Sequence, residues 1–184
     1  VMVDIGSSTG GFTDCALQNK AKRVYAVDVG TNQLVWKLRN DPRVVVKEKT
    51  NFRHATTDLF EYELPNIATI DVSFISLTKV LANLKTLLNP DFHEMICLIK
   101  PQFEAGKDKV EKGGVVRDPK IHKEVIENVI ECAKSLTYSI KGLTYSSIKG
   151  PAGNIEYLIW LTTEDIANDY NISDIIDSAF SNLN

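Results

Sequence analysis

The chain has 184 residues, 43% of them apolar and 24% charged, with a formal net charge of −3. That composition supports a core of one domain's size and excludes a disordered or low-complexity chain. The negative balance excludes a uniformly basic nucleic-acid surface while permitting a local basic face, and the longest apolar runs, such as Met95-Ile96-Cys97-Leu98-Ile99, fall far short of the ~18 residues of a membrane-spanning helix.

From the N-terminus, Val1-Met2-Val3-Asp4-Ile5 reads as an apolar strand that delivers a carboxylate into the small-residue turn Gly6-Ser7-Ser8-Thr9-Gly10-Gly11, with a helix to follow. Such a turn aims backbone N–H groups at a ligand, and its glycines let the main chain approach where a Cβ would collide. A second strand, 23–28, ends in Asp28, at about the spacing at which a carboxylate holds ribose hydroxyls. The pair points to a nucleotide-type cofactor site. Because Val1 already stands in a strand, and no basic leader precedes it, a missing N-terminal portion is expected rather than a secretory signal.

Further strands are predicted at 43–48, 67–72, 94–100, 138–145 and 154–162. Between the fourth and fifth, Leu77, Val80, Leu81, Leu84, Leu87 and Leu88 recur at helical spacing behind Ser76, a candidate N-cap. Asp118-Pro119 opens another helix with Ile121, Val125, Val129, Ala133 and Leu136 on one stripe. Residues 164–184 read as a polar C-terminal extension of a 1–163 domain, with one short helix near 175–180. Alternating strands and helices predict an α/β fold with helices on both faces of a sheet. The last two strands are joined too tightly for a crossover helix and should form an antiparallel hairpin at the edge. Five parallel strands and such a hairpin describe the Rossmann-like sheet of class I S-adenosylmethionine-dependent methyltransferases better than an all-parallel dinucleotide fold.

Polar residues collect at the C-terminal strand ends, where open α/β sheets place ligands. Asp71 ends strand four, Lys100 ends strand five and Glu156 lies in the last hairpin. A lysine flanked by apolar strand residues is costly to bury alone, and two carboxylates would provide partners; the bland alternatives are a snorkelling Lys100 and ordinary loop capping by the two acids. Thr50, Asn51 and Phe52 follow strand three, where class I methyltransferases hold adenine, although loop capping by Asn51 fits the residue equally well. Lys107, Lys109, Lys112, Arg117 and Lys120 form a basic-rich loop diluted by Glu104, Asp108, Glu111 and Asp118, open to phosphate contact or to simple solvation. Cys15, Cys97 and Cys132 are widely spaced without a C-x-x-C, and His54, His93 and His122 show no ligand spacing, which implies a reducing, cytoplasmic setting and no metal.

The segments Asp4-Ile5-Gly6-Ser7-Ser8-Thr9-Gly10-Gly11-Phe12, Val27-Asp28-Val29-Gly30, Asp71-Val72-Ser73-Phe74-Ile75-Ser76, Ile99-Lys100-Pro101-Gln102-Phe103-Glu104, Gly113-Gly114-Val115-Val116-Arg117-Asp118-Pro119 and Gly153-Asn154-Ile155-Glu156 resemble, in order and up to about Leu161, the TlyA/hemolysin A family. The methyltransferase domain of that family is similar to the FtsJ type, which methylates ribose 2′-hydroxyls of ribosomal RNA with S-adenosylmethionine. The resemblance implies a Lys-Asp-Lys-Glu catalytic tetrad, of which Asp71, Lys100 and Glu156 are three members; the first lysine of the family lies upstream of the glycine turn. An S4-like N-terminal RNA-binding domain is also implied upstream of this chain. Cofactor contacts are expected from Gly6, Ser7, Ser8 and Gly10 on the methionine moiety, with Asp4 supporting from the strand end, Asp28 on the ribose, and Asn51 and Asp71 nearby. The implied partners are ribosomal RNA or ribosomal subunits, with no membrane, and the oligomeric state is open.

Two rivals belong to other classes. A dinucleotide oxidoreductase would also use Asp28, but 6–11 departs from the G-x-G-x-x-G spacing. A hemolysin-like membrane-active protein would need an insertable apolar helix, an amphipathic hairpin or a basic amphipathic helix, and none stands out. Base methylation on carbon needs a nucleophilic cysteine, and Cys97 lies within an apolar run.

Overall fold

A computed structural model describes residues 1–184. The strand order is β3-β2-β1-β4-β5-β7-β6 in a seven-stranded sheet, and the chain divides into two compact units, Val1–Val72 with Lys79–Met95, and Ser73–Thr78 with Ile96–Asn184.

The first unit carries β1 (Met2–Ile5), β2 (Val24–Val27), β3 (Val44–Lys47) and β4 (Ile67–Ile70), all parallel. β1 and β2 are buried at every position, as expected where both faces of a parallel sheet are covered. Helix α1 (Gly11–Gln18) lays Phe12, Ala16 and Leu17 against Met2, Val24 and Ala26, a cluster completed by Leu34 and by Leu38 of the short helix α2 (Trp36–Arg39). Helix α3 (Leu77–Leu87) confirms the leucine stripe: within this unit Val80, Leu81, Leu84, Leu87 and Leu88 are all buried. Each such side chain contributes about 2 kcal/mol through removal from water.

The second unit receives the end of β5 (Glu94–Ile99), then α4 (Pro101–Glu104), α5 (Pro119–Ser135), β6 (Ser139–Tyr145), β7 (Tyr157–Thr162) and α6 (Ile172–Leu183). Asp118 accepts from the Lys120 N–H at 2.9 Å and Pro119 stands at the first helical position, which is why α5 starts where the sequence places it. β6 and β7 pair antiparallel, the predicted hairpin. Several boundaries differ from expectation: β2 and β3 are shorter by a residue at each end, β4 ends at Ile70 rather than 72, and β7 begins at Tyr157 rather than 154. β5 stops at Ile99 because Pro101 lacks the N–H of a continuing strand and suits a first helical turn, so Lys100 becomes the N-cap residue of α4. The terminal helix runs over 12 residues rather than about six, since the Asn171 side chain accepts from the Asp174 N–H at 3.0 Å and so starts it early. Ile176 and Ala179 of α6 are buried, and the Phe180 ring lies 5.1 Å from that of His122 on α5.

Candidate active site

In the first unit the chain leaves β1 by bonding sideways. The Gly6 and Ser7 N–H groups both donate to the Val27 carbonyl, at 2.9 and 3.1 Å. Gly6 has φ +78°, and a Cβ on it would collide with the Asp71 carbonyl oxygen, so the turn closes against the residue after β4 only with glycine there. Gly10 has φ +103°, and its Cβ would stand 2.7 Å from Leu34 Cδ1 and collide with Leu38. Asp4 anchors the turn from beneath. It is 1% exposed and accepts from the Thr13 N–H at 3.0 Å, the Thr13 hydroxyl at 2.7 Å and the Thr69 hydroxyl at 3.1 Å. Burial pushes its carboxyl above the usual range, the threonine bonds oppose that rise, and the nearby Asp71 charge adds to it.

Above Asp4 opens a cavity of about 430 Å³ lined by the turn (Gly6, Ser7, Ser8, Thr9), by Gly11, Phe12 and Cys15 of α1, and by Asp71. Its size suits a small-molecule site. At its edge Asp28 accepts from the Ser8 and Gly30 N–H groups, both at 2.8 Å, so the carboxylate is oriented by the turn and keeps lone pairs for further donors. The Thr50 N–H donates to the Asp28 carbonyl at 3.0 Å, which ties the loop after β3 to the same corner. Asn51 accepts from the Arg53 N–H at 3.1 Å, the loop-capping geometry, and Asn83 holds the carbonyls of Phe52 and Ala55 at 2.8 and 3.2 Å. A glycine cradle that no Cβ would fit and a fixed carboxylate beside it match the needs of S-adenosylmethionine: room for its methionine end and an acceptor for ribose hydroxyls.

Of the expected catalytic group, Asp71 belongs to this unit and Lys100 and Glu156 to the second. There the Lys100 ammonium donates to the Ser73 hydroxyl at 3.4 Å. Glu156 is 7% exposed and accepts from Gln102 Nε2 at 3.1 Å, which joins the turn carrying Lys100 to the last hairpin. Gln102 Oε1 is buried with no hydrogen-bond partner. Asn154 locks the neighbouring loop, accepting from the Val116 N–H at 3.0 Å and donating to the Gly114 carbonyl at 2.8 Å.

Sequence reasoning missed four of these residues as site components: Phe74, Gln102, Glu104 and Asn154. Phe74 is 90% exposed with φ +64°, a conformation rare for a bulky side chain, and its ring lies 4.9 Å from that of Phe103. The two rings, with Gln102, Gly106, Lys107 and Val110, line a second cavity of about 590 Å³. The only sequence signal for this arrangement was the pair of short aromatic-containing motifs that follow Asp71 and Lys100. In the basic-rich loop, Lys109 pairs with Glu124 and Arg117 with Glu111, so part of its charge is neutralised locally. Cys97 is fully buried and burial pushes its thiol far up, which disfavours it as the nucleophile that carbon methylation needs.

The sheet order, the terminal hairpin and the glycine-turn cradle define a class I S-adenosylmethionine-dependent methyltransferase domain. The model of the FtsJ-like methyltransferase family matches residues 1–163, and the chain belongs to that family. YqxC of Bacillus subtilis (strain 168), provisionally named an rRNA methyltransferase, is 58% identical over 88% of this chain and 57% of its own length. The 16S/23S rRNA (cytidine-2′-O)-methyltransferase TlyA of Mycobacterium tuberculosis (strain ATCC 25618 / H37Rv) is 44% identical over 88% of this chain and 60% of its own. A Lactococcus lactis crystal structure, provisionally called a hemolysin, superimposes with a TM-score of 0.92 at 52% identity, covering 96% of this chain and 86% of that one. The expected resemblance to TlyA and hemolysin A proteins is therefore borne out, and the chain spans about 60% of the length of the two curated relatives. No helix is long and apolar enough to cross a membrane.

Proposed function

We propose that this domain transfers a methyl group from S-adenosylmethionine to a ribose 2′-hydroxyl of ribosomal RNA, with a cytidine as the favoured nucleoside and a ribosomal subunit in the cytoplasm as the setting. The observation that carries the reading is the second-unit arrangement in which Gln102, bonded to the Glu156 carboxylate, lines a cavity with Phe74, Phe103 and Lys107, while the Lys100 ammonium donates to Ser73 beside Phe74. Aromatic faces and a lysine at one cavity suit an unstacked base and its phosphate. Names of the relatives that specify cytidine-2′-O methylation favour the same substrate.

The cofactor, when bound, supplies an electrophilic methyl on a sulfonium. Gly6, Ser7, Ser8 and Gly10 would hold its methionine end, Asp28 its ribose and the loop at Asn51 its adenine, with Asp4 keeping the turn in shape. A ribose hydroxyl is a very weak acid, so attack needs its proton removed or its growing negative charge stabilised. Lys100 would take that role: it would accept the proton if neutral, or stabilise the oxygen as a cation while the proton passes to water. Glu156, through Gln102, would orient the turn that carries Lys100, and Asp71 is the second carboxylate that the family resemblance assigns to the group. The residues that hold the cofactor and the ribose would set how well hydroxyl and methyl are aligned, and the rate would depend on that alignment.

Isotope transfer from labelled S-adenosylmethionine to ribosomal RNA by the full-length protein, followed by mass-spectrometric mapping of ribose methylation, tests this reading. Methylated cytidine ribose is the expected product. Methyl groups found only on bases, or liposome leakage without any transfer, would overturn it.

A further inference from the structure

The segments 73–77 and 100–104 lie alongside each other like a short parallel zipper. Lys100 reaches Ser73, Phe103 packs on Phe74, and Glu104 reaches Ser76 and Leu77. The hydrogen-bonded pairs are all separated by 27 or 28 residues, so the two stretches run in constant register. The strongest rung is the last. Glu104 Oε2 accepts from the Ser76 hydroxyl at 2.6 Å and Oε1 from the Leu77 N–H at 2.7 Å, so one carboxylate closes the start of α3 from another part of the chain.

Charge-assisted bonds of this length, made by a carboxylate to a helix N-terminus, are among the stronger polar contacts a protein makes. Burial pushes the Glu104 carboxyl up while the Ser76 and Leu77 bonds pull it back, so the group is held by these partners rather than by solvent. Ser76 already has its own local bond, accepting from the Thr78 N–H at 3.2 Å, and would cap α3 without Glu104. What Glu104 adds is register. It stands at the end of α4, a single helical turn with Lys100 as its N-cap, so fixing Glu104 fixes both where the Lys100 side chain starts and where the loop bearing Ser73 and Phe74 runs.

The geometry points to Glu104 as a positioning residue for methyl transfer, a carboxylate clasp that holds the Lys100 turn and the Ser73–Phe74 loop in the alignment the reaction needs. The inference rests on the methyltransferase reading of Lys100 given above.

The test compares full-length wild-type protein with Glu104→Ala, Glu104→Gln and the Glu104→Ala/Ser76→Ala pair. Glu104→Ala should lower kcat by about tenfold or more, within the range expected for sub-ångström to 1 Å misplacement of a reacting group. The KM for S-adenosylmethionine and the number of cofactor sites titrated should stay within about twofold. Glu104→Gln, which keeps an acceptor for the Leu77 N–H, should recover most of the rate, and Ser76→Ala should cost little more once Glu104 is gone, because the two act as one unit. Hydrogen exchange at residues 73–78 should speed up in Glu104→Ala while that of α5 does not.

A kcat per cofactor site unchanged in Glu104→Ala, or unaltered exchange at 73–78, would overturn the proposal. If wild-type protein transfers no methyl to RNA, the functional reading fails instead, and the exchange data still decide whether Glu104 clasps the loop.

Discussion

The glycine cradle of the first unit and the 73–77/100–104 zipper of the second are built from different materials. In the cradle, main-chain N–H groups and glycines do the fixing: Val27 receives two amides, Asp28 two more, and Gly6 closes against a backbone carbonyl. In the zipper, side chains meet one another across a half-buried surface, through Lys100, Phe74, Phe103 and Glu104. A backbone-built site is intolerant of any added carbon but indifferent to most side chains around it. A side-chain-built site can be tuned residue by residue, and each contact can be lost singly.

The sharpest way to break that contrast is Gly6→Ala. A Cβ in a left-handed turn, set against an immovable carbonyl, should cost about 3 kcal/mol or more in stability and abolish cofactor binding together with it. Chemical denaturation with calorimetric titration of S-adenosylmethionine would show it, and normal binding by Gly6→Ala would mean that the turn is not the cradle. Lys100→Ala should do the reverse, dropping the single-turnover rate about 100-fold or more with almost no change in cofactor affinity. A rate within a few-fold of wild type would remove Lys100 from the chemistry.

Asp28→Ala sits between the two regimes, because its carboxylate both steadies the turn and faces the expected ribose. Loss of about 1–3 kcal/mol of S-adenosylmethionine affinity is expected, with the fold retained. Unchanged affinity by calorimetry would leave Asp28 as a turn brace alone.

The smallest effect is on pH dependence. His122 is fully buried, with Nδ1 on the Tyr157 hydroxyl and Nε2 on the Val116 carbonyl, both at 2.7 Å, and burial lowers its pKa against the opposing pull of Val116 and Asp118. The unfolded chain therefore takes up this proton first. Stability from neutral His122 is complete above the unfolded pKa of about 6.5 and declines as pH falls from there toward the folded value, by at most about 1.4 kcal/mol per pH unit. Asp4 and Glu104, with raised pKa values, work in the opposite sense: the folded state binds their protons first, so they favour folding as pH falls toward the ordinary carboxylate range. A urea midpoint that drops between pH 6.5 and 5.5, with the His122 ring titrating below its ordinary pKa by NMR, is the expected pattern. A ring that titrates at its ordinary pKa would contradict it.

Much of this molecule was legible from local pattern. The seven strands, the leucine stripe of α3, the Asp118-Pro119 start of α5, the edge hairpin and the glycine turn after β1 each follow from residue periodicity, turn chemistry or capping within a few neighbouring positions. Asp28 and Lys100 could be singled out as candidates because each charge follows directly on an apolar strand. What only tertiary structure decided involves partners distant in the chain. Nothing near Glu104 announces that its carboxylate closes a helix 27 residues upstream, nothing near Asn154 that it locks the Gly114–Val116 loop, and no propensity favours a left-handed, exposed phenylalanine at position 74. These choices are made where loops from separate strand ends are brought together: side-chain hydrogen bonds there outweigh local backbone preference, and a one-dimensional pattern carries no record of which distant group will supply them.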